Sequence, residues 1–309
     1  MRKLSVTIGI VFILIFSIFA GCSKNQTGKK KIGVALQTRA HQFYKDLEEG
    51  LKKSADKLGY ELIVVSAEAD INKQISQIED MITQKVTAIV VCPADSKGIG
   101  VGVRKANEAG IPVFTADIAS DEGKVVCHIA SDNRAGGRLA GEYLAKILNG
   151  KGKIAIINRP TVTSVLDRVA GFMEAIAKYP DIKLVADVDG GGERDRALKA
   201  TSDVLQANPE LDGIFGINDD SALGALSAVK EFKRDKIVIV GYDATPEANK
   251  AILSGENLKA DVVQYPDKIG MKTIEVINDY LNGKQVEKLI PVEIGIVDKE
   301  SLQKSNTAK

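Results

Sequence analysis

From Lys31 onward, short β-branched runs alternate with segments whose apolar residues recur at helical spacing. No other feature limits the fold so tightly. Residues 31–37 (KIGVALQ) are continuously apolar rather than alternating, the pattern of a strand buried on both faces. The next segment, 43–58, carries Phe43, Leu47, Leu51, Ala55 and Leu58 on one helical face, and Gly59 follows in the usual position for ending a helix. Further strands are expected at 61–66, 88–92, 112–115 and 125–129, with helices at 71–84 and 98–109. The rhythm restarts near Ser131–Asn133. Helices are expected at 133–148, 164–178, 194–207 and 219–232, and strands at 153–157, 183–188, 213–217, 237–242 and 258–263. A short helix at 246–253, a helix at 266–281 and one strand at 289–296 complete the chain. Strands separated by helices of this length form parallel sheets with helices on both faces. The strands are too many for one such sheet, so two similar α/β lobes are expected, joined by an ordered junction that suits a hinge.

Before this rhythm, Arg2 and Lys3 precede an apolar run over 4–20. A basic start and an apolar stretch of that length form a secretion signal. Phe19-Ala20-Gly21-Cys22 resembles a bacterial lipobox, with Cys22 as the lipidated residue. Residues 1–21 thus read as a lipoprotein signal peptide and 22–30 as a polar tether, against the alternatives of an uncleaved anchor or plain secretion. The remainder is expected at an outer surface, touching the membrane through the N-terminal lipid only. Cys92 and Cys127 lie in apolar runs, where thiols pack as small hydrophobes; a disulfide stays open. With 42 Lys and Arg against 41 Asp and Glu, the chain has no basic excess for nucleic acid. Two His, and three Cys with no C-x-x-C, exclude a multi-His or Cys-rich zinc site. No metal or cofactor is expected.

In open α/β sheets, ligands bind beyond the carboxyl ends of the strands. Those positions here hold His41, Phe43 and Tyr44, then Asp117, then 159–168 with Arg168, then Asn218, Asp243 and Gln264. Carboxylates, amides and an arginine beside an aromatic pair suit an uncharged polyhydroxylated ligand. Rings cover the C–H faces of a sugar, and planar polar groups meet its hydroxyls in pairs. Each residue has a plainer reading: Phe43 as core, Asp117, Asn218 and Asp243 as turn formers or helix caps, Arg168 as a solvated helix face. The run Gly98–Gly102 lacks the dinucleotide spacing. Gly190–Gly192 could cradle a phosphate, but acidic neighbours argue against an anion.

Several segments together resemble the bacterial periplasmic sugar-binding proteins of the ribose-binding type, which serve ABC transporters. They are Asp56–Tyr60, Ile111-Pro112-Val113, His128–Asn133 with Gly136-Gly137, Asp167-Arg168 with Gly171-Phe172, Asn218-Asp219 with Ala222–Leu226, Val240–Asp243, and Gln264 with Pro266-Asp267. The resemblance implies a type I periplasmic binding protein, α/β, with two doubly wound parallel-sheet lobes joined by three hinge crossings near Ser131, Gln264 and Val292. It divides the chain into an N-terminal lobe (31–131 plus 265–292) and a C-terminal lobe (132–264 plus 293–305). It implies Phe43 and Tyr44 as stacking aromatics, Asp117 as the first-lobe carboxylate, Arg168, Asn218 and Asp243 as the second-lobe polar set, Gln264 as the hinge amide, and His41 where ribose binders have Asn.

Two positions depart from the pattern. Ile118 stands where ribose binders have Arg, and Gly192 falls where they have Phe. Two acids with one arginine leave the inferred pocket at −1, so the expected ligand is not ribose but a larger sugar or polyol filling space at Gly192, or an amino-bearing compound. The implied function is delivery of a monosaccharide or polyol to an ABC transporter permease by a monomer. The alternative is ligand presentation to a chemoreceptor or histidine kinase. A glycosidase using Asp117 and Asp243 and a sugar-responsive repressor are weaker: the first needs a defined carboxylate separation, and a signal segment occupies the place of a DNA-binding motif.

Overall fold

The structure, a computed structural model, describes residues 29–307. The expected signal peptide and Cys22 lie outside them. The chain opens with β1 (Lys31–Leu36), α1 (Gln42–Leu58), β2 (Glu61–Ser66), α2 (Ile71–Thr83), β3 (Ala88–Val91), α3 (Gly100–Glu108), β4 (Val113–Ala116) and β5 (Val125–Ser131). A second series follows: α4 (Asn133–Ile147), β6 (Lys151–Asn158), α5 (Thr163–Ile176), β7 (Asp181–Asp189), α6 (Arg194–Ala207), β8 (Gly213–Gly216), α7 (Asp219–Glu231), β9 (Val238–Asp243), α8 (Pro246–Ser254) and β10 (Leu258–Val263). The chain ends with α9 (Pro266–Leu281), β11 (Leu289–Val292), β12 (Gly295–Asp298) and α10 (Lys299–Thr307).

Two six-stranded sheets result, ordered β11-β5-β4-β3-β1-β2 and β12-β10-β9-β8-β6-β7. The chain passes between them three times: after β5 into α4, after β10 through Gln264 into α9, and between β11 and β12. Each sheet is buried on both faces, which explains the continuous apolar runs. Along β1, Ile32, Val34 and Leu36 join the cluster under α1 and α9, while Ala35 joins the one under α2 and α3. Along β6, Ile154 and Ile156 face α4 and α5, while Ala155 and Ile157 face α6 and α7.

Two readings of the C-terminus are corrected. The single strand expected at 289–296 is two strands in different sheets, broken at Glu293-Ile294, and β12 pairs antiparallel with β10. The helix α10 was not expected. Cys92 and Cys127 are free, buried thiols, and burial raises both.

Candidate functional site

The carboxyl ends of the central strands of both sheets face one another across a narrow cleft that is partly open to solvent. The first lobe contributes Gln37 beyond β1, His41, Phe43 and Tyr44 at the start of α1, and Asp117-Ile118 beyond β4. The second contributes Arg159 beyond β6, the first turns of α5 with Arg168, Asn218 beyond β8, and Asp243 ending β9; Gln264 enters from the hinge. All eight residues singled out in the sequence line this cleft. Asp117 (φ 67°) and Asp243 (φ 124°) hold left-handed backbone conformations. Such conformations are costly for non-glycine residues and cluster at functional sites.

The polar side chains form a connected set. Tyr44 Oη donates to Asp117 Oδ2 at 2.8 Å. Its single proton is then used, so the Gln37 amide at 2.6 Å donates to Tyr44, and the Gln37 carbonyl accepts from Arg159 Nη2 at 2.8 Å. Arg168 is 4% exposed. Its Nε donates to Asn133 Oδ1 and its Nη1 to the Ile217 carbonyl, each at 2.8 Å. Its guanidinium lies 3.9 Å over the Tyr242 ring, and Nη1 is 4.0 Å from Asp243 Oδ1. Gln264 Nε2 donates to that same oxygen at 2.7 Å. Asp117 Oδ1 and Gln264 Oε1 are buried acceptors without a protein partner, a costly state that hydroxyl donors in the cleft would relieve.

Burial raises the Asp117 carboxyl, against the pull of Arg168. Burial likewise pushes Asp243 up to about 8, opposed by Arg168 and reinforced by Asp219. His41 is lowered by burial, partly offset by Asp220, whose carboxylate stands 3.7 Å away in the other lobe. Asn218 keeps its plainer role too: Oδ1 caps α7 through the Ser221 N–H at 2.9 Å, and Nδ2 donates to the Gly192 carbonyl at 3.0 Å.

Behind Asp243, Asp219 and Asp261 are 3% and 0% exposed. Asp219 Oδ2 accepts from the Thr245 N–H at 2.7 Å and Asp261 Oδ1 from the Ala244 N–H at 3.3 Å. Burial raises Asp261 well above the ordinary range, and the neighbouring Asp219 raises it further. A carboxyl raised in the folded state stabilises below its unfolded pKa near 4, and that stability is lost as pH climbs toward the folded value. The loss reaches about 1.4 kcal/mol per pH unit. Asp261→Asn removes the dependence while supplying an NH2 to Asp219. The variant is therefore expected to gain several degrees more in melting temperature over the parent at pH 8.5 than at pH 5. Equal gains at both values would contradict the raised Asp261 carboxyl.

Arg159 was missed, and it changes the pocket. It donates from the second lobe to the first-lobe Ala94 carbonyl at 2.8 Å. Two acids thus face two guanidiniums, and the inferred formal charge of −1 is corrected to a formal count of zero. The space expected at Gly192 is also taken, since a Cβ there would lie 3.2 Å from Arg159 Cδ. Neither a larger nor an amino-bearing ligand follows. The lobes touch elsewhere too: Ser96 N–H donates to the Thr161 carbonyl (3.2 Å), Thr163 N–H to Ser96 Oγ (3.0 Å), and Ala119 N–H to Thr163 Oγ1 (3.0 Å). The conformation is closed.

Residues 32–285 match the family described as periplasmic binding protein domain. The chain belongs to that family. This periplasmic binding protein is 34% identical to the ribose import binding protein of Salmonella typhimurium over 97% of its own length and 99% of the relative's. Among solved structures, it resembles a periplasmic solute-binding protein of an ABC transporter from Actinobacillus succinogenes with bound D-allose. The TM-score is 0.82 at 31% identity, covering 89% of this chain and 100% of that one. A solute-binding protein from Mycobacterium smegmatis with bound glycerol gives 0.85 at 32% identity, covering 90% and 96%. These relatives are solute-binding proteins, and the fold expected from the sequence is the one this family member has.

Proposed function

We propose that this chain is an extracytoplasmic solute-binding lipoprotein that closes on a monosaccharide or polyol and delivers it to an ABC transporter permease. The carrying observation is the interlobe cleft, where the buried acceptors Asp117 Oδ1 and Gln264 Oε1 share one space with two arginines and the aromatic pair. Phe43 and Tyr44 meet edge to face at 5.2 Å, presenting ring surface to C–H groups. Asp117, Arg168, Asn218, Asp243 and Gln264 take the hydroxyls, with His41 at the rim. Contacts from both lobes favour the closed state through differential affinity. The working division is 31–131 plus 265–292 for the first lobe and 132–264 plus 293–305 for the second. Sheet membership supports it. Lipid attachment at Cys22 would hold a monomer at the membrane surface. Presentation to a receptor is the weaker reading, because the nearly full-length curated relatives are import binding proteins.

Calorimetry and thermal melting against ribose, allose, xylitol and related compounds test the reading. At least one compound is expected to bind with micromolar or tighter affinity and raise the melting temperature. Silence across the panel rejects sugar binding. Arg159→Ala should shift relative affinity roughly tenfold toward hexoses and cyclitols over pentoses by opening the space at Gly192; unchanged ratios would remove Arg159 from the pocket's size limit. Anchoring is tested by fractionation, with Cys22→Ala expected to release the protein from membranes.

A further inference from the structure

One stretch of the cleft wall differs from the rest. Ile118 leaves the first lobe and is the sole first-lobe member of an apolar cluster otherwise built by the second. Ile118, Val162 and Val165 are 2%, 1% and 4% exposed, and all three line the cleft. The Ala119 N–H to Thr163 Oγ1 bond, 3.0 Å, fastens residue 118 against the start of α5. Ile217 adds a further branched side chain to the lining. Between the two valines, Thr163 turns its hydroxyl to Ala119, and Ser164 is the one polar residue that lines the cleft. Elsewhere the wall carries carboxylates, amides, guanidiniums, His41 and the aromatic pair.

The aromatic rings already serve the C–H faces of a sugar, and Ile118 sits directly beside Asp117, where the wall otherwise meets hydroxyls. A hydroxyl pressed against Ile118 and the valines would lose its water without a full set of partners, whereas a methyl or methylene would bury favourably. We propose that the ligand is a deoxy sugar or deoxy polyol, with its hydroxyl-free carbon seated against Ile118, Val162 and Val165. This rests on the sugar-binding reading and narrows it.

The test compares deoxy sugars with their own hydroxylated parents by competition calorimetry on the purified full-length protein. Suitable pairs are 5-deoxyribose with ribose, L-fucose with L-galactose, and L-rhamnose with L-mannose. In at least one pair the deoxy member is expected to bind roughly tenfold or more tightly. Ile118→Thr, which introduces a hydroxyl and loses one methyl, should move that ratio toward the parent more than its apolar isostere Ile118→Val does, with melting curves confirming that both variants are folded. If parents bind as tightly as their deoxy partners, or if Ile118→Thr moves the ratio no further than Ile118→Val, the hydrocarbon seat is refuted while sugar binding stands. If neither these pairs nor any other sugar binds, both readings fall.

Discussion

Arg168→Met is expected to weaken binding of the best sugar by at least about a hundredfold and to lower the melting temperature, more at pH 8.5 than at pH 5.5. The side chain is buried and faces two carboxylates, the Asn133 carbonyl and the Ile217 carbonyl. Methionine retains much of the volume but no donor. Removing one partner of a buried charge set costs about 3–5 kcal/mol, because the remaining charges lose their compensation. Asp117 and Asp243 are already raised by burial, and Arg168 is what pulls both back down. Without it both rise further, so folding must take up protons, and stability falls as pH increases from about 4 toward the folded values. Arg168→Lys separates charge from geometry. An ammonium restores part of the pH dependence but cannot reach both carbonyl oxygens with a planar fork, so it should recover stability better than affinity. Binding by Arg168→Met within tenfold of the parent would place the guanidinium outside the ligand's reach.

The sequence made the lobes legible because strands buried on both faces need uninterrupted apolar residues, and that signal is local. The site residues were legible for a related reason: where strands end is readable, and a parallel sheet dictates which ends face the cleft. What escaped depends on distance rather than on neighbours. Arg159 follows β6 like other strand-end residues, yet its partners, Ala94 and Gln37, belong to the other lobe. Only the closed arrangement brings them within reach. The break at Glu293-Ile294 was hidden because apolar residues continue on both sides of it. The helix α10 was hidden because its described positions offer little beyond Leu302, which packs beside the cluster under α6 and α7. The paired glycines of the family resemblance were visible as letters, but their reason was not.

That reason gives the second large effect. A Cβ on Gly171 would stand 2.0 Å from the Arg134 carbonyl, and one on Gly137 would stand 1.9 Å from the Arg168 carbonyl. The backbones of α4 and α5 touch there with no side chain between them. The first lobe repeats the device, since a Cβ on Gly50 would lie 2.1 Å from the Asp267 carbonyl and one on Gly270 2.3 Å from the Leu47 carbonyl, between α1 and α9. Backbone cannot yield as a flexible side chain can, so Gly171→Val must push α5 away from α4. Overpacking of this kind costs about 1–3 kcal/mol where the core relaxes and more where it does not. A displaced helix with rigid obstacles belongs to the second case, and a loss above about 3 kcal/mol corresponds to roughly 10 °C. The displacement also reaches the ligand, because Arg168 sits one turn before Gly171 on α5 while its partner Asn133 begins α4. Gly171→Val is therefore expected to lose both stability and sugar affinity. Gly283→Ala is the control: φ is 78° but nothing lies within 4 Å of the added carbon, so only the backbone conformation is penalised, by about 1 kcal/mol. If the two variants melt within a few degrees of each other, direct backbone contact does not hold the helix pair together.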